Sequence, residues 1–158
     1  MIPDTAPSID LTLLSWANPQ NGAGVLEDMD IKTHQRANKS ILGTPLEIVD
    51  GKSAVVELIT DDTMIVDGKG LVHGGFAYGL ADYAAMLAVN HPNVVLGKSE
   101  SRFIAPVRTG EKMRANATVE SVDGKKRGVS VQIFVSENII YKGKFTCYVL
   151  DEHVFDRI

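Results

Sequence analysis

The stretch GLVHGGFAYGLADYAAMLAV, residues 70–89, predicts the element around which the rest of the chain folds. From Phe76 onward it is apolar enough to form a buried helix. Pro92 prevents that helix from continuing, because proline lacks a backbone N–H and its ring clashes with the preceding turn. We therefore expect one long helix from about residue 74 to residue 90. It has two unusual features for a buried helix, which are the carboxylate of Asp82 in its middle and a start that is almost bare of side chains.

Strand-like segments lie on both sides of this helix. Before it, TPLEIVD and SAVVELIT flank the turn DGK, a pattern typical of a hairpin. After it come four more segments, of which KMRANATVESV alternates apolar and polar residues with the period of a half-buried strand. We expect these four to follow one another as an antiparallel meander. Because one face of a sheet of this size must be covered by another element, we predict an α+β fold in which a curved antiparallel sheet wraps around the central helix.

The N-terminal part is predicted to be less regular. EDMDIKTHQRANKS has helical spacing, so we expect a helix from about 28 to 39. Residues 1–26 form a predicted arm, in which SIDLTLLSWA makes a short helix capped by Ser8. Trp16 is expected to dock this arm onto the domain or onto a neighbouring subunit. The predicted domain covers residues 27–158.

Composition excludes several classes of protein. The 158 residues suffice for one domain with a core, and 16 basic against 20 acidic residues give a net charge of -4, which argues against a nucleic-acid binder that relies on bulk charge. Cys147 is the single cysteine, so no internal disulfide can form. The N-terminus has no signal-peptide pattern, and the longest apolar run is too short to span a bilayer. We therefore expect a cytoplasmic protein that binds neither nucleic acid nor membrane.

Three motifs together resemble a known family. HGGFAYGLAD has the pattern of His-Gly-Gly, six residues and Asp at the start of the central helix, SRFIAPVRTGEKMRANATV resembles the next two strands, and ILGTPLEIVDGKSAVVEL resembles the leading hairpin. Over roughly residues 30–150 the chain is similar to hot-dog fold proteins of the PaaI-type acyl-CoA thioesterase family. The resemblance implies hydrolysis of an acyl-CoA to free acid and CoA, with no cofactor apart from the coenzyme A of the substrate. It also implies a homodimer, or a tetramer made of two dimers, that joins its sheets edge to edge.

The helix start and Asp82 are the candidate catalytic groups. Backbone N–H groups at Gly74 and Gly75 lie where a helix begins, so they can stabilise the negative oxygen of a thioester under attack. The alternative is a tight turn that needs glycine for steric reasons. The resemblance gives Asp82 the role of nucleophile, or of the base that activates water, and burial raises the pKa of a carboxylate toward that of a useful base. The alternative is an Asp that pairs with a strand arginine or caps the backbone of a second subunit.

Neighbouring residues complete the predicted site. His73 either orients the helix start and the thioester or is a structural histidine. Gly79 is small and leaves space over the Asp82 carboxylate, and Phe76 contributes to the wall of the acyl pocket. Possible contributions from a second subunit come from the first helix, where the residues considered are His34, Gln35 and Asn38.

Cations are needed for the phosphates of the coenzyme, and Arg102, Arg108 and the cluster Lys125–Arg127 are the candidates. A basic cluster in a turn is otherwise simply solvated. The four histidines and the single cysteine show no metal-ligand spacing, so no metal site is expected. The competing functions are a non-catalytic acyl-CoA-binding or sensing module on the same fold, and a purely structural oligomer.

Overall fold

The computed structural model of the chain describes residues 29–157, so the predicted arm at 1–26 lies outside the described residues. Helix α1 (Lys39–Leu42) leads into the hairpin of β1 (Thr44–Val49) and β2 (Ser53–Ile59), and after a loop comes the central helix α2 (Gly74–Val89). The remaining strands are β3 (Val94–Phe103), β4 (Lys112–Asp123), β5 (Lys126–Val135) and β6 (Asn138–Val149). Short 3₁₀ helices span Asp62–Met64 and Val154–Arg157. The predicted hairpin, central helix and last four strands are confirmed.

Within residues 29–157 the strands form one antiparallel six-stranded sheet in the order β1-β2-β4-β5-β6-β3. The prediction of a four-strand meander is wrong for its first strand, because β3 lies at the far edge beside β6 and only β4, β5 and β6 follow one another. The loop after β3 returns the chain across the start of α2, where the Val72 N–H donates to the Val107 carbonyl at 2.9 Å. This return lets β4 pair with β2.

The core lies between α2 and the inner face of the sheet. On β4 the alternation predicted from sequence is confirmed, since Met113, Ala115 and Ala117 are buried while Arg114 and Thr118 are exposed. Ten of the sixteen residues of α2 are buried, which explains why its sequence is apolar on nearly every side. The architecture is that of the expected hot-dog fold, a curved sheet wrapped around one long helix.

The predicted helix from 28 to 39 is wrong within the described residues, because of that range only Lys39 is helical. Asn90, at the end of α2, holds this segment in place. Its carboxamide accepts from the Lys32 N–H at 2.9 Å and donates to the Asp30 carbonyl at 2.8 Å. His34 adopts a left-handed φ of 52°, which no continuous helix tolerates. Tertiary hydrogen bonds thus replace the helical ones that the spacing suggested.

Across residues 29–157, none of the helices combines the length and the apolar character needed to span a membrane. The cytoplasmic location and the domain boundary at residue 27 stay predictions.

Candidate active site

The start of α2 is organised by His73, which is its N-cap residue. The ring Nδ1 of His73 accepts a hydrogen bond from the Gly75 N–H at 2.8 Å. A Cβ atom added at Gly75 would lie 2.8 Å from that same Nδ1, so the cap requires glycine at this position. Because Nδ1 accepts, it carries a lone pair and not a proton. This satisfies the Gly75 N–H and assigns His73 an orienting role at the helix start.

Gly74 is the open position of this helix start. The Phe76 N–H donates to the His73 carbonyl at 3.1 Å and the Gly75 N–H is capped, whereas the Gly74 N–H has no acceptor among residues 29–157. Gly74 is exposed, and a Cβ there would approach the Phe103 ring to 3.3 Å. Of the two glycines predicted to hold an oxyanion, Gly74 is therefore the one whose backbone N–H has no acceptor within residues 29–157.

A cleft of about 310 Å³ opens beside Gly74. His73 and Gly74 lie in its wall with a mostly apolar set of other residues, which include Leu71, Ala77, Phe103, Val107, Met113 and Ile140. Phe76 contacts the His73 ring edge-on, with 6.4 Å between the ring centroids, and is not part of the cleft wall. The start of the helix thus combines an open N–H with an apolar hollow.

Asp82 lies two turns further along α2 and is largely buried. Its Oδ1 atom is shielded from solvent and has no hydrogen-bond partner within the described part of the chain. Burial raises the pKa of Asp82 above the ordinary value of an aspartate. The alternative of an ion pair with a strand arginine is not seen among residues 29–157. Shielding a carboxylate oxygen from water without giving it a partner is costly, and groups with perturbed pKa values are concentrated at functional sites.

Hydroxyl groups and a thiol line the inner face of the sheet near Asp82. Tyr78 and Ser99 share a hydrogen bond of 2.7 Å, and Tyr141 and Ser101 share one of 2.5 Å. Burial, and secondarily the charge of Asp82, raises the pKa of Cys147 to about 12, so its thiol stays protonated near neutral pH.

These hydroxyls were missed at the level of sequence. The signal that identifies them is the alternation of β3, which turns Ser99 and Ser101 to the same face.

The two candidate catalytic groups of one chain are far apart. Eight residues separate Gly74 from Asp82, which at a rise of about 1.5 Å per residue amounts to about 12 Å along the helix. An oxyanion donor and an attacking group must each lie about 3 Å from the reacting atoms. Gly79, predicted to leave space between them, faces α1, and a Cβ there would lie 3.0 Å from Leu42. One copy of α2 therefore supplies both groups but cannot bring them to one carbonyl.

Each of the polar residues considered for a second-subunit role has a local partner. The Gln35 amide donates to the Ile31 carbonyl at 2.7 Å, and Asn38 caps α1 by accepting from the Ser40 N–H at 3.0 Å. His34 packs edge-on against Tyr83, and burial lowers its pKa. Their role in substrate binding stays a prediction.

The cations predicted to bind the coenzyme phosphates lie in different parts of the surface and have different partners. Lys125 pairs with Asp151 at 2.6 Å, and the Arg127 guanidinium donates to the Gly124 carbonyl at 2.6 Å. Arg108 lies in a small cleft with Glu111, whose carboxylate accepts from the Arg108 N–H at 2.7 Å. Arg102 faces a different groove on the outer side of the sheet. In residues 29–157 no group of three or more His, Cys, Asp or Glu side chains is arranged to hold a metal ion.

Comparison with known proteins gives consistent matches to one family. The sequence model of the thioesterase superfamily matches residues 69–140. The chain is 52% identical to an uncharacterized protein from Pyrococcus horikoshii of known structure, covering 81% of this chain and 98% of that one with a TM-score of 0.79. The phenylacetic acid degradation protein PaaI from Thermus thermophilus, solved as a mutant, is 25% identical over 71% of this chain and 97% of that one, with a TM-score of 0.65.

Two curated relatives carry other names. A methylthioribose-1-phosphate isomerase from Aquifex aeolicus is 44% identical over 78% of this chain, and the match covers 27% of that protein. Transcription factor FapR from Caldanaerobacter subterraneus is 31% identical over 74% of this chain, and the match covers 61% of that protein. The chain therefore spans about a quarter of the first relative and less than two thirds of the second.

Proposed function

The chain belongs to the thioesterase superfamily and has the hot-dog fold, and from this premise we propose that it hydrolyses an acyl-CoA thioester to a free acid and CoA. The observation that carries the proposal is the half-buried Asp82 carboxylate on α2, whose Oδ1 atom is shielded from solvent and has no partner among residues 29–157. The open N–H of Gly74 supports it, because it provides a donor for negative charge at a helix start.

Two chemical routes use these groups. As a general base, Asp82 takes a proton from water while the water oxygen attacks the thioester carbon, and the carbonyl oxygen becomes negative beside the Gly74 N–H. Collapse of this intermediate breaks the C–S bond, and CoA leaves as a thiolate that takes up the proton held by Asp82. As a nucleophile, the carboxylate attacks the carbon itself, CoA leaves as a thiolate that takes up a proton, and water then cleaves the mixed anhydride. A single turnover in ¹⁸O-labelled water tests for the nucleophilic route, because water that attacks the aspartyl carbon of the anhydride places the label in Asp82, whereas the general-base route leaves Asp82 unlabelled.

We infer that the complete site forms between two copies of the chain. Strand β3 lies at one end of the sheet order, so one of its edges pairs with no strand in residues 29–157. If two copies join at this edge about a two-fold axis, their α2 helices run antiparallel. The start of one helix then runs toward the middle of the other. In this arrangement Gly74 of one copy faces Asp82 of its partner, so the separation of about 12 Å along a single helix no longer keeps the two groups apart. A homodimer, or a tetramer of two dimers, is the proposed assembly.

The substrate class follows from the cleft beside Gly74. Its volume of about 310 Å³ is at the lower end of the range of about 300–1,000 Å³ for small-molecule pockets. Its largely apolar wall suits a hydrocarbon and not a charged acyl group. We propose a short, medium or aromatic acyl chain as the preferred group.

The test is a thiol-release assay with purified protein over short, medium, long and aromatic acyl-CoA substrates. We expect turnover that is highest for short to medium or aromatic groups and lower for long ones. Absence of thiol release from every member of the panel would contradict the proposed hydrolysis.

A second candidate function is favoured by the similarity to transcription factor FapR, a relative whose name describes a regulator and not an enzyme. In this case the chain binds an acyl-CoA without hydrolysing it. Binding of an acyl-CoA by calorimetry, combined with no thiol release from the same compound, would favour this function over the first.

A further inference from the structure

A groove on the outer face of the sheet, the face turned away from α2, collects unpaired positive charge. It has a volume of about 590 Å³ and is lined by side chains of three strands, β3, β5 and β6. Arg102, Lys142 and Lys144 are exposed along it, and Ser101 and Gly143 also lie in its wall. The whole chain carries a net charge of -4, so this local cluster of cations is opposite in sign to the net charge.

The arrangement of these cations is unfavourable without a ligand. Arg102 on β3 lies directly opposite Lys142 on β6, and like charges directly opposite one another destabilise a sheet. Lys144 follows two residues later on the same face and opposes Ser130 of β5. None of the three cations forms an ion pair or a side-chain hydrogen bond within the described residues.

Acidic residues neutralise the groove only in part, and one of them, Glu100, lies in its wall. Glu100 lies opposite Lys144 in register, but its carboxylate approaches Lys98 at 3.9 Å. Glu120, on the next strand, accepts a hydrogen bond from the Ser130 hydroxyl at 2.7 Å. By contrast, Lys32, Lys112 and Lys125 elsewhere in the chain each have an acidic partner within 4 Å. Among the described residues that line the groove, three are cations and one, Glu100, is a carboxylate.

We propose that this groove binds the phosphate groups of a nucleotide-like ligand. Arg102 offers a planar guanidinium suited to two oxygens of one phosphate, and the two lysines offer point charges for a second phosphate along β6. The Gln132 carboxamide, opposite Lys142, adds a neutral hydrogen-bonding group. The groove volume fits a ligand larger than an inorganic ion.

The proposed dimer leaves the groove open, because pairing at the edge of β3 uses backbone groups and not the outer face. Two sources of the phosphates share the same chemistry, namely the nucleotide end of the CoA substrate and a separate phosphorylated ligand. The phosphate site itself does not depend on the proposed hydrolysis, since direct binding is measured without turnover.

The experiment is a calorimetric titration of the full chain with inorganic pyrophosphate, ADP and free CoA, at low and at raised salt. The variants are Arg102→Gln and Lys142→Gln, and the matched control is Lys52→Gln, which removes an exposed lysine in the β1–β2 turn. We expect pyrophosphate and ADP to bind the unaltered chain, with a Kd that rises about tenfold in each groove variant. Binding to the unaltered chain should also weaken as the salt concentration is raised. The control is expected to bind as the unaltered chain does.

The outcomes are separable from those of the hydrolysis assay. If CoA competes with pyrophosphate and Lys142→Gln raises the KM for acyl-CoA with kcat unchanged, the phosphates belong to the substrate. If pyrophosphate binding is lost while KM is unchanged, they belong to a separate ligand. Failure of pyrophosphate and ADP to bind at millimolar concentration, or equal losses in Lys52→Gln, would overturn the phosphate site even where thioester hydrolysis is found.

Discussion

The start and the middle of α2 differ in how their polar groups are satisfied. At the start, His73 caps the Gly75 N–H at 2.8 Å, and the groups lie at the surface. In the middle, Asp82 is largely buried with an oxygen that has no partner in residues 29–157. The first arrangement stabilises a helix by local rules, whereas the second costs stability. The two regions therefore differ in local hydrogen bonding, because the Gly75 N–H at the start has a neighbouring acceptor, whereas an Asp82 oxygen in the middle has no donor within residues 29–157.

The largest test of this difference is Asp82→Asn, which keeps the shape of the side chain and removes its charge. We expect thioester hydrolysis to fall by about 10²–10⁴-fold, the range for loss of a positioned base. The folded state should be retained or stabilised, because a desolvated charge is removed. Steady-state kinetics and denaturant unfolding measure the two effects.

Asp123→Asn, in an exposed position at the end of β4, is the matched control and should leave the hydrolysis rate unchanged. Full activity in Asp82→Asn would rule out the catalytic assignment.

A smaller effect is expected at the helix start. His73→Ala removes the N-cap and should lower the free energy of unfolding by about 1 kcal/mol. His73→Asn retains a capping side chain and should restore most of that stability. Urea unfolding of the two variants makes the comparison. Equal destabilisation by alanine and asparagine would mean that capping is not the contribution of His73.

The smallest effect concerns the pH dependence of stability. Because burial raises the pKa of Asp82 above its ordinary value of 3.8, the folded chain holds a proton at pH values where the unfolded chain has lost it. The contribution of Asp82 to stability is therefore complete below that ordinary value and is lost as pH rises through the raised pKa.

The difference in unfolding free energy between Asp82→Asn and the unaltered chain should accordingly grow in favour of the variant as pH rises from about 4 to about 7. Unfolding curves at several pH values measure it. Parallel profiles for the two chains would show that the folded environment leaves the titration of Asp82 unchanged.

Local pattern made much of the fold predictable. The apolar run from Phe76 and the terminating Pro92 predicted α2 within one residue of its observed end at Val89. The period of two in β4 identified its buried face. The segment 29–38 was predicted wrongly, because its helical spacing competes with hydrogen bonds to Asn90, a residue about 60 positions away in sequence.

The residues of the candidate site were predictable from the sequence, but the contacts between them were not. His73, Gly74 and Asp82 followed from a motif, but the capping of Gly75 by His73 depends on side-chain placement. Gly79 was expected to give space to a substrate, whereas the structure places Leu42 beside it.

Arg102 was predicted as a candidate cation together with Arg108 and the cluster Lys125–Arg127, and only strand register shows that it lies opposite Lys142.

The sequence by itself determined the central helix, the strand segments and the candidate chemistry at Asp82, because each depends on residues that are close along the chain. Only the tertiary structure decided that β3 lies beside β6, that the Oδ1 atom of Asp82 is shielded without a partner in residues 29–157, and that cations of two strands share one groove. These facts depend on contacts between distant segments. A periodic pattern fixes which face of a strand is buried, but it does not specify which strand lies next to it.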